Sequence, residues 1–368
     1  MVSWIKDKNA LENLTQRLAT KKTLFLDTEF MRSQTFYPKL ALIQIFNGEH
    51  CWLIDAPSIN DLTPLKRLLE NPKCTLVLHA CAEDLEVLRC SAHIFPNCIF
   101  DTQIAARITN IGYSTSYAGL LESLTDIRLT KSVTRSNWLA RPLSAAQLKY
   151  AEDDVAHLAD LHKILCSKLS ALSRWSWFQD EIAALIETVA SRESLEFYFQ
   201  RFKGKHRLDS KSLRLLKRLS YWRELTARLH DKPRKHILSD AILFKLSINP
   251  PQVYSDLFLI KDLRVKDIRV FGESIISEIQ KSYDDPEVMV MPRPLNSSAN
   301  DVVKRLFQYL TKFGELHEIP VELLASKKEL EVIVRSALSG DVRWPPRFMN
   351  GWRAEVVKPI ISEFISEI

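Results

Sequence analysis

Leu24-Phe25-Leu26-Asp27-Thr28-Glu29-Phe30 is an apolar run that ends in two carboxylates. Its continuous apolar start reads as a short strand in a sheet covered on both faces. Side chains alternate along a strand, so Asp27 and Glu29 share one face while Thr28 points away. Two like charges beside a hydrophobic core repel each other and lose hydration. A multivalent cation relieves both costs, and hard oxygen donors without Cys or His nearby favour Mg²⁺ or Mn²⁺ over zinc. Taken alone, an acidic pair at a strand end is more often a turn. Carboxylates arriving at matching places elsewhere decide between the two readings.

Working outward, Leu40–Phe46 and Cys51–Asp55 are two further apolar runs, and Asn47-Gly48 between them signals a hairpin. Three consecutive strands, most simply antiparallel, therefore open the fold. Upstream, Leu11, Leu14 and Leu18 give residues 9–20 helical spacing. Downstream the pattern alternates: a helix over 61–70, a strand at Cys74–Leu78, a helix over Ala82–Cys90, the strand Ile99-Phe100 and a helix from Asp101. Together these predict an α/β fold with a mixed sheet flanked by helices, the layout of ribonuclease H-like domains. Asp84 falls in the first turn of its helix, where the helix dipole stabilises a carboxylate, and such residues are commonly just helix starts. Asp101 before Thr102 reads as a structural N-cap. Ser144-Ala145-Ala146-Gln147 is a capping box opening a long helix whose stripe of Leu158, Leu161 and Leu165 includes Asp154. Tyr150 lies one turn before Asp154, so their side chains are neighbours. An acid on an apolar stripe is costly unless something pairs with it.

At 368 residues, 46% hydrophobic and 26% charged, the chain suits two or three globular domains. No apolar run approaches the roughly 18 residues that cross a membrane. Met1–Lys8 lacks the apolar core of a signal peptide, so a cytoplasmic protein is expected. The six cysteines lie in the first half without a CxxC pair, and read as reduced thiols. A site through His79 and Cys81 lacks further ligands at metal spacing. With 8 glycines and no phosphate-cradling loop, no nucleotide cofactor is expected. Residues 1–200 carry 21 Lys and Arg against 23 Asp and Glu, and residues 201–368 carry 30 against 22. Within 201–235 the balance is 13 to 3, which suits a polyanion-binding module, although such runs are often only a solvated face.

These residues resemble the ribonuclease D family of 3′→5′ exonucleases, within the group named for an Asp-Glu-Asp-Asp quartet. Leu26-Asp27-Thr28-Glu29-Phe30 looks like the first motif, continued by Tyr37-Pro38-Lys39-Leu40 through Gln44. His79-Ala80-Cys81-Ala82-Glu83-Asp84-Leu85-Glu86 is similar to the second, and Tyr150 with Asp154 to the tyrosine variant of the third. Asp101-Thr102-Gln103 and Trp138–Leu143 also fit. The resemblance implies an exonuclease domain over 1–172, a helical connector over 173–204 and a helicase-and-ribonuclease-D C-terminal (HRDC) domain over 205–284. Leu213, Leu216, Trp222-Arg223, Pro233, Asp240, Pro250 and Phe271-Gly272 carry the HRDC likeness. A linker over 285–298 precedes a second, HRDC-like helical domain over 299–368, resembled through Ile319-Pro320 to Leu330 and Gly351-Trp352-Arg353.

Phosphodiester hydrolysis needs an activated water, in-line geometry and neutralised charge at the leaving oxygen, which two divalent ions supply together. Asp27, Glu29, Asp84 and Asp154 are the expected ligands of two Mg²⁺ or Mn²⁺ ions, Asp27 bridging both and Asp84 on the leaving-group side. The Tyr150 hydroxyl would orient the attacking water. Arg135, Trp138 and Arg141 are candidate substrate contacts, with Trp138 equally readable as core. The basic run at 203–235 is a candidate for gripping RNA phosphates. The expected activity is a metal-dependent 3′→5′ exoribonuclease that releases nucleoside 5′-monophosphates while trimming tRNA precursors and other structured RNAs. A DNA exonuclease of the same mechanism is the alternative, and a non-catalytic RNA-binding scaffold, whose signature would be a broken quartet, a further one.

Overall fold

Six strands, Val2–Ile5 (β1), Thr23–Met31 (β2), Lys39–Phe46 (β3), Cys51–Ile54 (β4), Thr75–Leu78 (β5) and Ile99–Asp101 (β6), form one sheet in the order β1-β4-β3-β2-β5-β6. The structure is a computed structural model and describes residues 2–129, 136–191, 195, 198–284 and 291–367. β2–β3 and β3–β4 pair antiparallel, the second as the Asn47-Gly48 turn predicts, whereas β1–β4, β2–β5 and β5–β6 pair parallel. β2 is nearly central, and a register shift interrupts its pairing with β3 between Glu29 and Phe30. The edge strand β1 has no counterpart in the sequence reading. Its four residues leave Val2 and Trp4 exposed, so no apolar run announces it.

Among the described residues, eight helices accompany the sheet: Lys8–Leu18 (α1), Thr63–Leu69 (α2), Ala82–Ala92 (α3), Thr102–Ile108 (α4), Tyr117–Leu124 (α5), Ala145–Ala156 (α6), Leu158–Ala171 (α7) and Trp175–Ser191 (α8). The single long helix expected from Ser144 is in fact α6 and α7, broken at His157. The Tyr117 hydroxyl fills the break, accepting the His157 N–H at 3.3 Å and donating to the Asp153 carbonyl at 3.2 Å.

The chain divides into two compact units, the first comprising Met1–Met31, Lys39–Val189 and Leu295–Ile368, the second Arg32–Pro38 and Ala190–Pro294. In the second, Ser210–Leu229 (α9), Arg234–Ile237 (α10), Asp240–Ile248 (α11) and Val265–Tyr283 (α12) enclose Leu216, Leu219, Ile268 and Ile275. Phe36 is buried in the same core, and the Asp231 carboxylate accepts the Phe36 and Tyr37 N–H groups, both at 3.0 Å.

Ser297–His317 (α13), Val321–Leu324 (α14), Lys327–Ala337 (α15) and Lys358–Ser366 (α16) follow. They repeat the plan of α9–α12. A long helix ends in a left-handed residue (Asp231, Glu318), then a proline (Pro233, Pro320) opens a four-residue helix. A serine cap (Ser239, Ser326) starts the third helix in each set. α13 begins two residues ahead of the expected boundary because Asn296 caps it; residues 285–290 of the expected linker lie outside the described residues. The sequence reading sets 299–368 apart as a domain of its own, but these helices share one core with the sheet. Arg174 donates to the carbonyls of Ile108, His317 and Glu318 at 2.7–3.0 Å. Glu181 accepts from Arg107 at 3.1 Å, from Trp352 Nε1 at 3.4 Å and from Arg353. The Trp177 and Trp352 rings stack at 4.3 Å. Pairings across such sequence distances leave no local signal. All six cysteines are free, and among the described residues no helix is long and apolar enough to cross a membrane.

Candidate active site

Asp27 and Glu29 of β2 meet Asp154 of α6 with one carboxylate oxygen of each within 4.8 Å of the others. Strand alternation puts the first two on one face, and α6 supplies the third. The capping box fixes where α6 begins: Ser144 Oγ accepts the Gln147 N–H at 3.2 Å while the Gln147 side chain accepts the Ser144 N–H at 3.0 Å. From that start Ala151 and Val155 turn inward and Asp154 follows them. The Tyr150 hydroxyl bonds Asp154, and its ring lies 5.8 Å from that of Trp138.

Asp84, in the first turn of α3, stands beside this trio rather than within it. It is 7% exposed and accepts the Thr28 hydroxyl at 2.5 Å. Thr28, which alternation turns away from Asp27 and Glu29, thus serves the fourth carboxylate, a role the sequence reading missed. Asp101 caps α4 as expected and does more. Its carboxylate accepts the N–H groups of Ala80 at 3.2 Å and Cys81 at 2.8 Å, holding the turn that starts α3. Ala80 is left-handed there, with φ +54. His79 is occupied by Thr102 Oγ1 and the Thr115 carbonyl, so it offers no free ring nitrogen beside Cys81.

Crowding and burial raise the proton affinity of the whole group. Burial above all, then the charges of Asp84, Asp154 and Glu29, holds Asp27 well above the carboxylate range. Burial followed by Asp154 and Asp84 pushes Glu29 to about 9. Burial lifts Asp154 to about 7 against the pull of the Tyr150 hydrogen bond, and Asp84 to about 6 against that of Thr28. Burial and then Asp154 raise the Tyr150 phenol above its ordinary value. Nearby positive charge would reverse each shift. An all-oxygen, half-buried donor set of this kind fits a hard divalent cation.

The candidate substrate contacts fare differently. Trp138 is 2% exposed and packs in the core, so no base can stack on it. Arg141 donates to Asp55 at 2.5 and 3.0 Å and to the carbonyls of Ala41, Trp138 and Ala140 at 2.7–2.9 Å. Its guanidinium is committed to the fold rather than offered to a phosphate. Arg135 lies outside the described residues. Gln44, fully buried on β3 opposite Asp27, has no predicted role, and its signal in the sequence is that of a lone polar residue in an apolar run.

Residues 2–170 match the 3′→5′ exonuclease family, and residues 212–279 match the HRDC domain. A ribonuclease D of Pseudomonas paraeruginosa is 35% identical over 96% of this chain and 95% of its own. The Escherichia coli ribonuclease D is 29% identical over 99% and 98%. The crystal structure of Escherichia coli RNase D superposes with a TM-score of 0.89, covering 100% of this chain and 99% of that one at 29% identity. Likeness across nearly the full length of both chains, over a sheet beside which Asp27, Glu29 and Asp154 meet, places this protein in the ribonuclease D family, and it is a 3′→5′ exoribonuclease.

Proposed function

We propose that the enzyme uses two divalent metal ions to remove nucleoside 5′-monophosphates one at a time from the 3′ ends of structured RNAs, tRNA precursors among them. The cluster of Asp27, Glu29 and Asp154 carries this reading. Mg²⁺ or Mn²⁺ bound there would neutralise the scissile phosphate and acidify a water. Asp27, Glu29 and Asp154 would hold the cations, with Asp84, which accepts the Thr28 hydroxyl, completing the quartet. Tyr150, a phenol whose ordinary pKa is near 10, keeps its proton at neutral pH and would orient the water rather than deprotonate it. The related Escherichia coli structure is described as an exoribonuclease involved in structured RNA processing, which supports the substrate class.

The second unit supplies the grip on RNA. Within its basic run, Arg218, Arg223, Arg228 and Arg234 are committed to ion pairs with Glu278, Asp240 and Glu224. Lys203, Arg207 and Lys211 are exposed, and the first two line a recess with His206 and Ser212 at the start of α9. These three are the phosphate contacts of this reading. The repeated helix plan supports reading α13–α16 as an HRDC-like set of helices built into the first unit, and free thiols support a cytoplasmic setting.

The test follows 5′-labelled tRNA precursor, a short single strand and the matched DNA strand, with Mg²⁺, Mn²⁺ or chelator. A one-nucleotide ladder from the 3′ end of RNA, abolished by chelation and by Asp27→Ala, is expected. Reversing Lys203, Arg207 and Lys211 to Glu should raise KM on the tRNA precursor and spare the short strand. Shortening that persists under chelation refutes the metal reading, and faster digestion of DNA refutes the substrate.

A further inference from the structure

Gln44 lies in the middle of β3 with no exposure, and neither its Oε1 nor its Nε2 has a partner among the described residues. A buried carboxamide without hydrogen bonds is among the costlier things a core can contain. Its surroundings do not supply them. The register sets Leu53 of β4 across from it on one side, and Leu42 two residues along the same face. α6 packs over these strands with Ala151 and Val155 inward, and its buried Gln147 is spent on Ser144 and Ser136. On the other side the register sets Asp27 directly across from Gln44. Opposed residues of an antiparallel pair point to the same face with Cβ atoms about 5 Å apart.

The two helix-borne carboxylates each have a neutral side-chain donor: Asp84 has Thr28 and Asp154 has Tyr150. Carboxylates that ligate metals are normally held in this way by an outer partner. We propose that Gln44 is the positioning residue for Asp27: its amide donates to the ionised carboxylate, directly or across one buried water, and fixes which way the oxygens face. The proposal rests on Asp27 being a cation ligand. Gln44 touches neither RNA nor cation. It acts through Asp27, and its loss should lower kcat while leaving KM for RNA in place.

Gln44→Met keeps the length of the side chain and removes the amide. Calorimetric titration of the full chain with Mn²⁺, without RNA, is the primary measurement, alongside thermal unfolding in EDTA. In EDTA a cooperative thermal transition close to that of wild type shows that the variant is folded. Mn²⁺ affinity should fall about 10–100-fold. A merely structural glutamine predicts unchanged Mn²⁺ affinity, and affinity within about twofold of wild type overturns the proposal. Should Gln44→Met fail to fold, Gln44→Asn draws the amide one carbon back from Asp27, with the same loss expected and the same result overturning it. Wild type and Asp27→Asn run in parallel. If wild type binds no Mn²⁺, or Asp27→Asn binds it equally, the metal reading falls and takes the proposal with it. If Asp27→Asn loses the ion and Gln44→Met keeps it, Gln44 alone is misassigned.

Discussion

Glu181→Ala should unfold much of what holds α13–α16 to the sheet. The carboxylate is 7% exposed and bridges Arg107, whose side chain keeps 22% exposure, to Arg353, which keeps 5%. Arg353 also donates through Nε and Nη2 to the Leu323 carbonyl, so it cannot swing out to water without breaking those bonds. Removing one partner of a buried ion pair leaves an unpaired charge and costs about 3–5 kcal/mol. Arg107 can rehydrate, so its share is small and the lower part of that range applies. Glu181→Gln keeps an acceptor for Trp352 and should cost about 1.5–3 kcal/mol, the range for hydrogen bonds to charged groups. Replacing both partners, as Glu181→Leu with Arg353→Met, removes the desolvated charge altogether and should be milder than Glu181→Ala alone. Urea unfolding followed by the fluorescence of the stacked Trp177–Trp352 pair reads these differences. A loss below about 1 kcal/mol for Glu181→Ala, or a double variant worse than the single, would refute the buried-charge argument.

Two further outcomes concern the acidic cluster. Glu29 ionises near 4.5 when unfolded and at about 9 in the fold, so between these values the folded chain holds a proton that the unfolded chain has released. Stability is therefore greatest below the lower value and declines as pH rises to the upper one, by about 1.4 kcal/mol per pH unit for one proton. Thermal unfolding in EDTA should show this decline above neutrality; Glu29→Gln should remove its share and excess Mn²⁺ should flatten it, while equal slopes in wild type and Glu29→Gln would sink the idea. Thr28→Val deletes the hydroxyl that holds Asp84 and nothing else of size, so kcat should drop at unchanged KM with a stability loss of about 1.5–3 kcal/mol; steady-state kinetics matching wild type would show that Asp84 needs no such hold.

Local periodicity carried much of the fold. The Asp27–Glu29 alternation, the Asn47-Gly48 hairpin, the Asp101 cap and the Ser144 capping box are each written within a few residues, and each is where the sequence put it. The same local rules put Asp27 and Glu29 on one strand face and Asp154 on the inward side of its helix, and tertiary packing brings the three together. What they miss is long-range. The break at His157 contains neither Gly nor Pro and depends on a tyrosine 40 residues earlier. Arg141 looks like a surface residue until Asp55, 86 residues away, is found beneath it. The attachment of α13–α16 turns on Glu181 and Arg353, 172 residues apart. The basic run reads as one patch, but partners at Glu224 and Glu278 withdraw several of its arginines from solvent.

The core beside the sheet contains Leu306, Leu310, Ile333, Trp352 and Ile361 together with Leu26, Ile45 and Leu165. Chains are made from the N-terminus, and domains generally fold as they emerge. Here the last part of the first unit's core, Leu295–Ile368, is synthesised only after Ala190–Pro294, and until then the apolar surface it covers stays open. An enzyme that degrades RNA thus reaches its finished form only after translation has moved well past its catalytic residues. A chain cut short within α9–α12 would present bare hydrophobic surface to proteases instead of a working nuclease.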